Sequence, residues 1–527
     1  MERFSWPVAA VLSLVLAGCG GGDGGGYGDG GGGQPPGWTA GVFRPSTEYD
    51  ARCVAPRSGT DPSTGQPFPD VAGTRTDENN WLRSWSNELY LWYREVPDLN
   101  PANYATPDYF DLLMTSAVTP SGQAKDKFHF TIPSAEWFAL SQSGVEAGYG
   151  AQWIILSGAP PRRLVVAYTE PNSPATLPSA NLARGAEVLR VDGADLVNGA
   201  DQATVDTLNA GLFPATAGAS HTFEVRDVGS ASTRTITMQS ANITSTPVQN
   251  VAAISTPTGP VGYMLFNDHI ATSEAGLIAA INTLQQAAVT DLVLDIRYNG
   301  GGFLDIASEL AFMIAGPGQT SGQTFERLVF NDKYTTRDPV TGQPLVPVAF
   351  HQVTQGFSPG LPAGQPLPNL QLSRVFVLTG SDTCSASESI INSLRGVNVQ
   401  VIQIGSTTCG KPYGFYPFDN CGTTYFSIQF SGVNAANFGD YPDGFSPANT
   451  LTTPGVLVPG CSIADDFTRA LGDPQEGRLA QALNYRVNSS CSVGPSGFAP
   501  GVLAVQAPDE DGEMLKSPWR ENRILRR

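Results

Sequence analysis

Between residues 76 and 142 the apolar positions of this chain fall at helical spacing. In DENNWLRSWSNELYLWY, Trp81, Leu82, Trp85, Leu89 and Trp92 recur three and four residues apart, which predicts a helix whose aromatics pack a core. TPDYFDLLMTSAV predicts a second, short helix opened by Thr106-Pro107. From 145 to 242 the rhythm shortens. GYGAQWIIL, RLVVAYT, GAEVLRVDG, HTFEVRDV and TRTITMQS are brief runs divided by turns, and they predict a small β-rich domain. From 260 to 483 strands alternate with helices. VGYMLFN, DLVLDIR, SRVFVLTG and VQVIQIG read as buried strands, with SEAGLIAAINTLQQAA and residues 386–395 as helices. That alternation predicts an α/β core on a largely parallel sheet. Residues 463–483 predict one more helix, broken near Gly472-Asp473-Pro474, and the polar stretch 492–527 is expected to be loose.

The two ends add organisation. Arg3, an apolar run from Val8 to Leu16, and small residues after it have the form of an export signal, and the run is too short to span a bilayer. LAGC, Leu16–Cys19, resembles the lipobox of bacterial lipoproteins. That resemblance implies lipidation of Cys19, and Gly20 after it implies the outer membrane, facing the periplasm. The glycine-dense stretch 19–38 then reads as a flexible tether. The expected organisation is a signal at 1–18, a tether at 19–38, a mostly helical segment at 39–142, a β-rich domain at 143–245, an α/β domain at 246–491 and a tail at 492–527.

Composition narrows the function classes. A chain of 527 residues with 41% hydrophobic residues is long enough for two or more cores. Its net charge of -18, with no basic stripe, argues against a nucleic-acid partner. The four histidines are scattered, with neither HExxH nor CxxC, so no metal and no cofactor are expected. Beyond Cys19 there are six cysteines, an even number that suggests disulfides in an exported protein. Cys461 with Cys491 is the first pairing to expect, because the two bracket one predicted helix. One pairing among Cys384, Cys409 and Cys421 could staple the site described next.

The candidate chemistry lies in SDTCSASESI, a cluster of small hydroxyls on a strand-to-helix turn. Ser385 there could cap the helix, as could Ser387 and Glu388, or it could be a nucleophile. A serine hydroxyl needs an adjacent base, and Ser-Lys is one known solution. Lys411 in STTCGKPYG has no acid within five residues on either side, which fits the desolvation a neutral lysine base requires. The oxyanion of acyl transfer needs amide donors. Gly301 of NGGG, with the amide of Ala386, is the expected pair, and Gly302 the second choice. Asp268-His269 is an alternative base, and Cys384 a weaker alternative nucleophile.

Together these motifs resemble the carboxyl-terminal processing peptidases, or tail-specific proteases. SDTCSASE matches that family's nucleophile turn, with Ser385 as nucleophile. TTCGK matches its lysine turn, with Lys411 as base. DIRYNGGG, Asp295–Gly302, matches its glycine turn. NSPATLPSANLARGAEVLRVDG resembles the PDZ domains of exported proteases, and GYGA, Gly148, Tyr149, Gly150 and Ala151, then corresponds to the loop that holds a peptide's terminal carboxylate. The resemblance implies a ClpP/crotonase-like α/β core, an inserted or preceding PDZ domain, and a membrane-anchored serine endopeptidase acting on proteins or peptides with free C-termini. One departure stands out. Phe415 occupies the position where the family often has a lysine-holding glutamine. The competing reading is a peptide-binding lipoprotein that keeps the fold without the catalysis.

Overall fold

Thr74 caps the first long helix. Its hydroxyl accepts from the amide of Asp77, and the Asp77 carboxylate accepts the Thr74 amide at 2.8 Å, a closed capping box. The helix, α1, runs Arg75–Leu89 and buries Trp81, Leu82, Trp85 and Leu89 as its spacing predicts. The structure, a computed structural model, describes residues 38–62, 64–450, 452–491, 511–515 and 523–524. Cys19, the signal and nearly all of the tether lie outside the described residues. The segment after α1 is only partly helical. Its strand β1, Phe130–Pro133, pairs antiparallel with Thr423–Phe426 of the α/β domain, and a Cys53–Cys421 disulfide joins the same two regions. The N-terminal segment is therefore part of the wall of the core.

The middle of the chain forms strands β2 (Val145–Gly148), β3 (Ala151–Ser157), β4 (Arg163–Thr169) and β5 (Glu187–Val191), helix α2 (Gln202–Leu212), and strands β6 (Ser220–Arg226), β7 (Arg234–Gln239) and β8 (Ala241–Thr244). Among these strands the antiparallel order is β7-β6-β5-β4-β3, with β3 outermost. β2 and β8 pair with each other where the domain is entered and left. Val188, Leu208, Leu212, Phe223 and Val225 fill the space between sheet and helix.

The α/β domain contributes β9 (Val248–Ile254), β10 (Val261–Phe266), α3 (Ser273–Gln286), β11 (Asp291–Asp295), the short β12 (Gly302–Phe303), α4 (Leu304–Ala315), β13 (Arg374–Thr379), α5 (Ala386–Gly396), β14 (Gln400–Gly405), β15 (Thr423–Phe426), β16 (Gly460–Ser462) and α6 (Gly477–Asn488). Its sheet has the order β9-β10-β11-β13-β14-β16. Only the β9–β10 pair is antiparallel. β10 and β11 are buried on both faces, which is why they read as unbroken apolar runs.

Two expectations change in the last part of the chain. Residues 463–476 are not helical; α6 starts only after Glu476, whose carboxylate accepts the Leu479 amide at 3.0 Å. Tertiary ion pairing overrides the local pattern there. Asp465 meets Arg184 of the middle domain at 2.6 Å and Arg297 at 2.5 Å, and Glu476 meets Arg297 at 2.8 Å. Burial pushes the Asp465 carboxyl up, but Arg184, Arg297 and Arg478 outweigh it and hold the group well below its usual range. The stretch after 491 is not wholly loose either. β17 (Glu513–Met514) adds antiparallel to the edge of β3, and β18 (Arg523–Ile524) pairs parallel with β12. The Cys461–Cys491 and Cys384–Cys409 disulfides complete the described cross-links.

Candidate active site

Three turns meet at the C-terminal ends of parallel strands β11, β13 and β14, the edge where α/β sheets gather ligand-binding groups. Ser385 ends the turn after β13 and stands directly before α5. It is fully buried, with φ 59° and ψ -113°, a backbone setting rarely tolerated outside glycine. The sequence Ser385-x-x-Glu388 is a capping-box pattern, yet only its carboxylate half closes in a well-formed hydrogen bond. Glu388 Oε2 accepts the Ser385 amide at 2.9 Å, whereas Ser385 Oγ has no hydrogen-bond partner. The hydroxyl is not spent on capping.

Glu388 ties the nucleophile turn to the lysine turn. Besides the Ser385 amide, its carboxylate accepts the Lys411 amide at 2.8 Å, the Gly410 amide at 2.9 Å and Thr408 Oγ1 at 2.5 Å. Burial pushes its carboxyl up, while Thr408 and the three amides pull the other way. The Cys384–Cys409 disulfide spans the same two turns with a Cα separation of 5.1 Å, and the Cys409 amide donates to Thr383 O at 3.0 Å. Cys384, Cys409 and Glu388 bring ligand-type atoms within 4.8 Å of one another, but the joined sulfurs are not thiolate ligands. Nor is Cys384 a free nucleophile. Lys411 is fully buried, its Nζ 4.3 Å from the ring centre of Phe128 and 4.9 Å from that of Phe415. Phe128 belongs to the N-terminal segment, and no local pattern announced it.

Asn299 ties the glycine turn to the nucleophile turn. Its carbonyl accepts the Cys384 amide at 3.1 Å and Ser387 Oγ at 2.9 Å. Its side-chain oxygen accepts the Gly301 amide at 3.0 Å and His269 Nδ1 at 2.9 Å. Gly301, expected as an oxyanion donor with Ala386, thus has its N–H on the Asn299 side chain. Gly302 is placed differently. Phe303 N–H donates to His269 O and the His269 amide to Gly301 O, so Gly302 turns its own amide toward the opposite edge of β12. Ala386, the first residue of α5, carries one of the amides that a helix start leaves without an intrahelical acceptor. Burial pushes His269 down to about 3, which keeps it neutral. Its partner is the Asn299 amide oxygen rather than a carboxylate.

Gly148–Ala151 lie in the middle domain, apart from this cluster. Gly148 ends β2 and Ala151 opens β3. Between them, Tyr149 is buried and its phenol donates to Gly211 O at 2.9 Å, near the end of α2. Gly150 has φ +76°, and a Cβ there would come 2.3 Å from Ser173 Cβ, so only glycine fits.

Residues 260–418, the stretch that carries all three turns, match the model of peptidase family S41. The likeness covers about a third of the chain. A carboxyl-terminal-processing protease of Picosynechococcus is 26% identical over 249 residues, covering 46% of this chain and 49% of the relative. The chain thus aligns with about half the length of that curated relative. A crystal structure described as a candidate S41 protease, from Bacteroides fragilis NCTC 9343, superposes with a TM-score of 0.58 at 22% identity, over 80% of this chain and 98% of that one. That likeness establishes the fold.

Proposed function

We propose that the protein is a serine endopeptidase acting on protein or peptide substrates by acyl transfer at Ser385. The observation that carries this reading is the buried, unpartnered Ser385 hydroxyl, held at positive φ beside Lys411 through Glu388. Lys411, when neutral, takes the hydroxyl proton as Ser385 attacks the scissile carbonyl, and returns it to the leaving amine. The tetrahedral oxyanion lies toward the amides of Ala386 and Gly302. Water then releases the acyl group from Ser385. The middle domain serves as a PDZ-like module reading C-terminal tails, with Gly148–Ala151 as its carboxylate loop and β3 as its peptide-accepting edge. A lipid at Cys19 would tether the enzyme to the outer membrane on the periplasmic side.

A second reading, a non-catalytic peptide-binding lipoprotein, is favoured by one observation. The faces of Phe128 and Phe415 sit against Lys411 Nζ, and ring faces attract a cation that could not act as base. Digestion of denatured proteins by wild type and Ser385→Ala decides between the two. Cleavage by the wild type alone supports the peptidase, and cleavage by neither supports the binding module.

A further inference from the structure

Residues 511–515 and 523–524 lie against β3, the nucleophile turn and β12. β17 runs antiparallel to β3, pairing Glu513 with Ile155 and Met514 with Ile154. The Leu515 amide then donates to Trp153 O at 3.0 Å, so the strand heads toward Ala151 and the Gly148–Ala151 loop. Leu515 packs on the core of the middle domain, and Met514, facing the other way, is buried against the α/β sheet. Gly512 permits the approach, since at its φ of +74° a Cβ would sit 2.7 Å from both Ile154 and Leu156. Two contacts reach the nucleophile turn. Ser381 Oγ donates to Gly512 O at 3.3 Å, and the Met514 amide donates to Asp382 Oδ2 at 3.2 Å. Asp511 anchors the segment on Arg478 and Ser406. Farther along, Arg523–Ile524 pair with Gly302–Phe303 on the edge of β12 away from His269, the edge toward which Gly302 turns its amide.

A strand edge is a template for another strand, and here one stretch of the same chain covers both edges a peptide would use. Its charge fits that role. Residues 516–527 hold five Lys or Arg and a single acid, in a chain whose net charge is -18. Eight residue steps separate Leu515 from Arg523, a reach of up to about 28 Å when extended.

We infer that residues 511–515 and 523–524 are a tethered ligand of the peptide site, occupying the β3 edge and the β12 edge in competition with substrate. The inference rests on the peptidase reading for the identity of the site. It also defines the substrate class: an extended, basic segment with an apolar side chain at the place of Leu515. Because the ligand is tethered, its effective concentration is of millimolar order, and an added peptide must outcompete it.

The test uses a labelled peptide of residues 506–527 and the Ser385→Ala background, in the full chain and in a form ending at Val505. The shortened form should bind the peptide at least about tenfold more tightly. A second form, ending at Leu515, keeps Asp511 and β17 and lacks β18. It should melt with the full chain, and in the Ser385 background its kcat/KM on a denatured protein should rise severalfold. Equal peptide binding by the full and Val505 forms, or equal and measurable kcat/KM of the full and Leu515 forms, overturns the proposal. If the shortened form binds the peptide but no form cleaves, the docking stands and the peptidase reading fails. If all forms cleave alike and bind the peptide alike, the peptidase stands and the docking fails.

Discussion

Glu388 is the residue on which the site's geometry depends most. It accepts from three backbone amides and one hydroxyl, on two turns separated by more than twenty positions in the chain. Glu388→Ala leaves those buried donors without an acceptor. The expected cost is about 3 kcal/mol or more, measured by denaturant unfolding, with kcat falling more than KM rises. From the sequence Glu388 reads as a cap, and half of that reading is right. What the sequence cannot display is the tertiary use of the same carboxylate, because Thr408, Gly410 and Lys411 arrive from the next strand. A different buried carboxyl acts on stability alone. Glu309 lies on α4, and burial beside Glu274 pushes it up to about 9. The fold therefore keeps a proton that the unfolded chain releases above about pH 4.3, so this group's contribution declines as pH rises through about 9. Glu309→Gln should gain melting temperature over wild type progressively from about pH 5 to about pH 8, as thermal unfolding would show.

At the level of elements, the strands were the most legible. β10, β11, β13 and β14 are continuous apolar runs because both sheet faces are covered, and such runs need no tertiary knowledge to find. The motif turns at their ends were legible for the same reason: a cluster of small hydroxyls and a run of glycines have few uses between a strand and a helix. Residues 463–476 misread as helix because their spacing is helical, while Asp465 and Glu476 are drawn into the arginine cluster instead. Phe128 was invisible because it reaches Lys411 from a segment almost three hundred residues away. The Cys384–Cys409 bridge joins the ends of the α5–β14 unit on either side of the nucleophile and lysine turns. Replacing both cysteines by alanine should cost about 2–4 kcal/mol by denaturant unfolding and lower kcat with KM less affected. Unchanged kcat in the double variant would mean that the remaining hydrogen bonds hold the two turns alone.

At the scale of the whole molecule, one buried ionic cluster couples the middle domain to the α/β domain. Arg184 comes from the first, and Arg297, Tyr298, Asp465 and Glu476 from the second. For both Asp465 and Glu476 burial pushes the carboxyl up, but Arg184, Arg297 and Arg478 for the first, and Arg297 for the second, outweigh it and hold each group below its usual value. The unfolded chain binds protons on these groups near pH 4, before the fold does. Their stabilisation is therefore complete above about pH 4 and is lost as pH falls through the folded values. Acid unfolding should begin in that window, and Arg297→Ala should move it toward neutral pH, as circular dichroism against pH would register.

The proposed mechanism makes Ser385 the acylated nucleophile and Lys411 its base. The most direct measurement is the reaction of the full chain with a serine-directed fluorophosphonate, with the adduct located by peptide mass mapping. One adduct is expected, on the peptide carrying Ser385. It should be absent in Ser385→Ala and form about 10²–10⁴-fold more slowly in Lys411→Met. An adduct on another serine, or undiminished labelling in Lys411→Met, would contradict that mechanism.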